Sequence, residues 1–453
     1  MKEFQSWMDV NFSRVREDFF TFLRFKTISS DSSLNAEQKR CAEWLCNYFR
    51  KLDCHAEVIE TSNLPIAYAE DLRAGPKAPT LLIYGHYDVQ PVDPIELWKS
   101  DPFEPVEKNG AFYARGAQDD KGQIFFAIAA LRYIRETRQP LPINLKFCIE
   151  GEEENGSVGL ATVLPSLKEK FKTDFLMVID VDILDADTPS INLGARGIIT
   201  LDVLLRGSNV DLHSGGFGGV AYNPNRAAAE LIAQLWDQNG RVAVDHFYDD
   251  VTELSAHEKS FYQSGASAKA IQEAGIVALG GEKGLPPHEA CWFRPTLEIN
   301  GISGGYSGPG FKTVIPAETR IKISCRLVPN QDPARIGQYV KDFLLKKVKK
   351  GIHITVDVQH GGKAFRGRPD SKLAIAATKA FEEVFNKPCQ RMLTGGSIPV
   401  VADLMGVLHP DVIGLGYGLA GDNIHAPNEH FGVDRFKKGI ITVARTIHYL
   451  GIR

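Results

Sequence analysis

The chain has 453 residues, 43% of them apolar, and a formal net charge of -4, an ordinary globular composition with room for more than one domain. No apolar run approaches the roughly 20 residues of a membrane helix, the opening MKEFQSWMDVNFSRVREDFF is charged throughout, unlike a secretory signal, and no Lys/Arg cluster offers a footprint for nucleic acid. Seven scattered cysteines (Cys41, Cys46, Cys54, Cys148, Cys291, Cys325 and Cys389), without CxxC spacing, read as the reduced thiols of a cytoplasmic protein and not as a disulfide framework or a thiolate metal site.

In chain order, residues 4–25 and 36–52 carry apolar side chains at helical spacing, and APTLLIYG (78–85) is a short apolar run of strand type. KGQIFFAIAALRYIRETR (121–138) predicts a helix between that run and two further strands, INLKFCIEG (143–151) and DFLMVID (174–180). Strands alternating with helices predict an α/β domain with a mostly parallel central sheet flanked by helices. From about Gly197 the pattern changes to alternating strands, IITLDVLLRG and TRIKISCRLVP, with helices near 224–237 and 333–348, which suits a smaller α+β unit. Residues 281–312, rich in Gly and Pro, read as loop. A helix over 371–386 and the strand DVIGLGYG (411–418) then resume the first pattern. The reading is one discontinuous domain, residues 1–196 and 366–453, interrupted by a lid of residues 197–365.

Candidate ligand groups stand just beyond strand ends: His86 after LLIYG, Glu153 and Glu154 after KFCIEG, Asp180 closing FLMVID, and His425 a short loop after DVIGLGYG. In an open α/β sheet such ends converge on one crevice. ARGAQDDKG adds Asp119 and Asp120 at the positive end of the helix that follows. Alone, each histidine reads as a loop residue, EEE at 152–154 as a solvated turn and DD at 119–120 as an N-cap pair. Together they form a His and carboxylate set suited to zinc, manganese or cobalt. Asp119 is the natural bridge between two ions, because one carboxylate can give an oxygen to each.

GHYDVQP (85–91), RGAQDDKG (115–122), EGEEENGS (150–157), LGARG (193–197), DLHSGGFGG (211–219), KTVIP (312–316), RLVPNQ (326–331), HGGK (360–363), GGSIPV (395–400) and GDNIHAPNE (421–429) span nearly the whole chain. In this order they resemble the cocatalytic-zinc aminoacylase and carboxypeptidase family, and within it the cytosolic nonspecific dipeptidase and carnosinase branch. The resemblance implies that His86 and Asp180 bind one Zn2+, Glu154 and His425 a second, and Asp119 bridges them, with a cis peptide bond after Asp119. It makes Asp88 the carboxylate that fixes the His86 tautomer and Glu153 the general base that takes a proton from the attacking water. His213 would reach the partner subunit's site in a homodimer to stabilise the oxyanion, and Arg326 would hold the substrate's free carboxylate with its planar fork. Thr313, His360, Gly396 and Ser397 match further substrate-contact positions. Glu152 is a departure, standing where relatives often have an apolar residue.

The implied activity is a metallodipeptidase acting on a small peptide with a free carboxylate. Two alternatives stay open: a deacylase of N-acetyl or N-succinyl amino acids, which shares the metal centre, and a catalytically silent metal-binding scaffold.

Overall fold

A computed structural model describes residues 1–262, 271–272, 274–359, 361–396 and 398–452. Its larger sheet has nine strands, ordered His55–Ile59, Ile66–Asp71, Asn144–Glu150, Thr80–His86, Phe175–Val178, Asp411–Gly414, Ser190–Ala195 and Phe365–Arg366, with Gln390–Thr394 also pairing Ser190–Ala195. The four strands Asn144–Glu150, Thr80–His86, Phe175–Val178 and Asp411–Gly414 run parallel. Towards both margins the pairing turns antiparallel, at Ile66–Asp71 on one side and at Ser190–Ala195 on the other. His55–Ile59 and Ile66–Asp71 are joined by a link too short for a crossover helix, so they must pair antiparallel. The architecture is the α/β one expected, with a parallel centre, a further parallel pairing at Gln390–Thr394 and antiparallel strands at the margins.

Helices cover this sheet. Lys121–Glu136 is buried along nearly its whole length, and Val433–Leu450 buries Phe436, Ile440, Val443 and Ile447, a helical spacing that faces the core. Phe125 stacks on Phe19 and meets Phe22, Tyr48 and Phe436. Phe125→Ala should cost about 3–5 kcal/mol, the range for emptying a large buried aromatic site, and a thermal melt should show a lowered transition; an unchanged melt contradicts the packing. Lys121 donates from Nζ to the carbonyls of Phe22 and Phe25, tying the end of helix Lys2–Leu23 to the turn that carries Asp119 and Asp120.

Gly85 lets that turn approach the sheet, and Gly122 lets the turn close on itself. A Cβ on Gly85 would lie 2.5 Å from Asp120 Oδ2, and one on Gly122 1.8 Å from the Ala117 carbonyl. Neither position has room for a side chain.

The lid is a four-stranded antiparallel sheet ordered Thr296–Gly304, Glu318–Leu327, Gly197–Arg206 and His353–Val358. Burial alternates along Gly197–Arg206 and Glu318–Leu327, and helices Pro224–Ile232 and Pro333–Lys347 pack on the buried face. Residues 281–312 contain more structure than expected: helix Pro287–Trp292 and edge strand Thr296–Gly304. The register shifts between Ile299 and Gly301, and a bulge of that kind breaks the alternation by which a strand is read. No described helix is long and apolar enough to cross a membrane.

Candidate metal centre

The four parallel strands at the sheet centre end on one edge, and each leads to a candidate ligand. Thr80–His86 ends on His86, Asn144–Glu150 leads to Glu154, Phe175–Val178 to Asp180 and Asp411–Gly414, through a longer loop, to His425. That loop places His425 with positive φ (57°), as are its neighbours Asn423 and Asn428, a conformation non-glycine residues adopt where surrounding structure fixes them. Asp119 enters from the turn before helix Lys121–Glu136, and its peptide bond to Asp120 is cis.

Two groups of three result, His86 with Asp119 and Asp180, and Asp119 with Glu154 and His425, the ligand atoms of each lying within 4.8 Å of one another. Asp119 divides its oxygens between them: Oδ1 lies 3.2 Å from His86 Nε2 and Oδ2 lies 3.0 Å from His425 Nε2. Asp180 Oδ2 lies 4.0 Å from His86 Nε2, and Glu154 Oε1 lies 3.3 Å from His425 Nε2. A donor set of one imidazole and two carboxylates on each side fits a divalent borderline-hard cation in each group.

Fully buried Asp88 organises the base of the site. His86 Nδ1 lies 3.1 Å from the Asp88 carbonyl oxygen and 3.2 Å from its Oδ1, and the two carboxylate oxygens accept from the backbone N–H groups of Glu153 and Glu154, both at 3.1 Å. Asp88 therefore turns His86 Nε2 towards Asp119 by carbonyl and carboxylate together, and its carboxylate fixes the turn bearing both glutamates. Glu152 faces elsewhere, accepting from Asn63 Nδ2 at 2.7 Å and Gly159 N at 2.8 Å. A polar residue is accommodated at this departure from the family pattern because Asn63 and a helix N-terminus receive it.

Crowding of acids and imidazoles shifts their protonation. Burial raises Asp180 well above the carboxylate range, reinforced by Asp120 and Asp119. Burial likewise pushes Glu153 up to about 7, with Glu154, Asp119 and Asp88 adding to it against the pull of His86. Burial also works on Asp119, but hydrogen bonds from His425 and His86 outweigh it and hold that carboxyl low. His425 is raised to about 10, first by its bond to Asp119 and then by Glu154; His86 is raised despite its burial by Asp119 and Asp88. Asp119 and its acidic neighbours thus favour the doubly protonated form of both imidazoles, and a cation at Nε2 competes with that proton. Metal uptake should release protons, and apparent affinity should rise about tenfold per pH unit for each proton displaced. Isothermal titration in buffers of different ionisation enthalpy measures this, and a pH-independent affinity contradicts it.

The remaining predicted residues divide. His213 lies exposed in the lid, in strand Leu212–His213 paired with Val314–Ile315, and its Nδ1 accepts from Gly215 N at 2.9 Å. Thr313 is beside it, its carbonyl accepting from Ser214 N at 3.0 Å. Arg326 is half-buried on strand Glu318–Leu327, opposite Ile198 and Thr296, and burial lowers its pKa. Gly396 is exposed in the loop after Gln390–Thr394, where a Cβ on the adjacent Gly395 would lie 3.3 Å from Arg196 Nη2. Ser397 and His360 lie outside the described residues.

Two contributors were not evident in the sequence: Gln90 donates to Glu154 Oε2 at 2.7 Å, and Glu429 accepts from Asp119 N at 3.0 Å. Asp120, expected beside Asp119, lies outside both groups and accepts from His86 N through Oδ2 at 3.0 Å. All three lie within stretches quoted for the resemblance, at its DVQP, DDKG and APNE ends.

The sequence profile described as Peptidase family M20/M25/M40 matches residues 82–449. The chain is 30% identical over 466 aligned residues to the Cys-Gly metallodipeptidase dug1 of Schizosaccharomyces pombe, covering 96% of each chain. It is 31% identical to the Beta-Ala-His dipeptidase of Rattus norvegicus, covering 81% of this chain and 75% of the relative. Among solved structures, the M20 family metallo-carboxypeptidase Sso-CP2 of Sulfolobus solfataricus superposes with a TM-score of 0.84 at 30% identity, covering 97% of this chain and 99% of that one.

Proposed function

The chain belongs to peptidase family M20/M25/M40, and from that membership we propose that it is a cytoplasmic metallodipeptidase that holds two zinc ions, one at His86 and Asp180 and one at Glu154 and His425. The observation that carries this reading is the division of the Asp119 oxygens between the two imidazoles at 3.2 and 3.0 Å, because a carboxylate so placed can serve two cations. When bound, the ions supply a water acidic enough to ionise near neutral pH and polarise the scissile carbonyl.

The chain's own residues do the rest. Glu153 projects from the turn that Asp88 fixes, accepts the proton of the attacking water and returns it to the leaving amine. Arg326 reads the substrate's carboxylate; the substrates for which the yeast and rat relatives are named, Cys-Gly and Beta-Ala-His, both carry one. Arg326→Met should raise KM about ten- to a hundredfold, the worth of one charged hydrogen bond, and an unchanged KM on dipeptides removes Arg326 from this role.

His213 acts in the partner's site of a homodimer, with 1–196 and 366–453 as the catalytic unit and 197–365 as lid and dimer contact. Exposed Phe217, Val220, Ile302 and Phe311 on the lid support a covered surface there. Thr313, next to His213 in the lid, and His360, Gly396 and Ser397 are assigned to further substrate contacts.

The test is hydrolysis by the metal-reconstituted protein of a dipeptide panel beside tripeptides, N-acetylornithine and N-succinyl-diaminopimelate. Dipeptides should give the highest kcat/KM. Preference for the acylated amino acids overturns the substrate assignment in favour of a deacylase, preference for tripeptides overturns the dipeptidase assignment, and hydrolysis of none makes it a scaffold.

A further inference from the structure

Glu429 is a fully buried carboxylate close to the metal groups, outside the ligand set, with four donors on its two oxygens. Oε2 accepts from Arg115 Nη1 and Gly116 N, both at 2.8 Å, and Oε1 from Gln118 N at 2.9 Å and Asp119 N at 3.0 Å. Arg115 in turn donates to the Pro91 carbonyl at 2.8 Å and lies 5.3 Å from the centre of the Trp98 ring. Four residues upstream in the same segment stands His425, whose Nε2 lies 3.0 Å from Asp119 Oδ2. One short piece of the C-terminal chain therefore grips Asp119 twice, by its main chain through Glu429 and by its side chain through His425.

We propose that Glu429 is a positioning residue for the metal pair: by holding the backbone N–H groups of Gly116, Gln118 and Asp119 on one carboxylate, it sets the angle at which Asp119 presents one oxygen to each cation. The chemistry requires a carboxylate. Three backbone donors converge on Glu429, and an amide offers one acceptor oxygen while turning its own N–H groups against them. Loss of one contact lets the turn relax, and a carboxylate that must face two imidazoles tolerates little rotation. Arg115 balances the charge, since a buried anion without a partner is costly.

The inference rests on the two-ion reading, and its test separates the two. Manganese(II) alone is titrated into the full-length protein, with affinity measured by chelator competition and ion pairing by electron paramagnetic resonance. The wild-type chain should give two bound ions with the spectrum of an exchange-coupled pair. Glu429→Gln should weaken binding about ten- to a hundredfold, the range for outer-shell partners of a metal site, and give the spectrum of separated ions. Because a lone Arg115 charge can prevent folding, the charge-balanced double variant Arg115→Met with Glu429→Gln is measured beside it and should show the same defect. Val340→Ala, a core lesion in the lid's own buried cluster, should keep affinity and coupling and so mark what loss of stability alone does. A folded Glu429 variant with wild-type affinity and a coupled spectrum overturns the proposal. So does failure of both Glu429 variants to fold, which makes the residue part of the core. Absence of a coupled pair in the wild-type chain overturns the two-ion reading itself and this proposal with it.

Discussion

Glu153→Gln is expected to retain both metal ions and to lose about a hundred- to ten-thousandfold in turnover, the usual contribution of a positioned general base. Glutamine preserves the shape of the side chain and leaves intact the backbone bonds from residues 153 and 154 to Asp88 at 3.1 Å, so neither Glu154 nor His86 should move. What disappears is the proton acceptor. Burial and its acidic neighbours place Glu153 at about 7 in the metal-free site, and two nearby cations favour the charged form and draw that value down. The base is active when ionised. The acid limb of kcat/KM therefore lies below pH 7, activity falls as pH drops through it, and the limb should vanish in Glu153→Gln. Stoichiometric metal analysis beside kinetics on the best dipeptide measures this; near-normal turnover contradicts the assignment.

Asp119→Ala should have the other large effect, because it removes a ligand from both groups at once. Loss of His86 or His425 takes one imidazole from one ion, whereas loss of Asp119 leaves each group with two side chains and no link between them. Binding of the ion pair should collapse and activity fall below detection over background, with the fold preserved because the sheet edge does not depend on this side chain. Asp119 is held low by its hydrogen bonds with His425 and His86, and without it both imidazoles lose their principal acid partner, so their pKa values should drop back towards the ordinary histidine range. Nuclear magnetic resonance titration of the metal-free variant detects that fall. Two ions bound with wild-type affinity in Asp119→Ala contradict the bridging role.

The convergence of the candidate ligands was legible in the sequence for a topological reason. His86, Glu154 and Asp180 directly follow apolar runs, the runs proved to be adjacent parallel strands, and parallel strands deliver their C-terminal ends to one place. His425 was legible as well, a short loop after a strand expected over 411–418; the strand ends at Gly414, so the loop is longer, yet it still brings His425 to Asp119. Glu429 was quoted within a motif and given no role, for the structure uses it through backbone N–H groups, which leave no side-chain pattern to read. Helix Val433–Leu450 carried a plain amphipathic signal that the reading passed over. His55–Ile59, by contrast, is an edge strand of mixed burial and offers little alternation. Strand Thr296–Gly304 was hidden by its bulge and its glycines, and the antiparallel margins of the main sheet depend on pairings between segments far apart in the chain, which local pattern does not encode.

Anomalous diffraction from crystals grown with zinc or manganese locates the ions themselves. Two peaks are expected about 3.5–4 Å apart, the spacing of paired hydrolytic ions, with Asp119 contributing an oxygen to each, His86 and Asp180 on one and Glu154 and His425 on the other. A single ion, or density that leaves Asp119 untouched, would contradict the bridged pair.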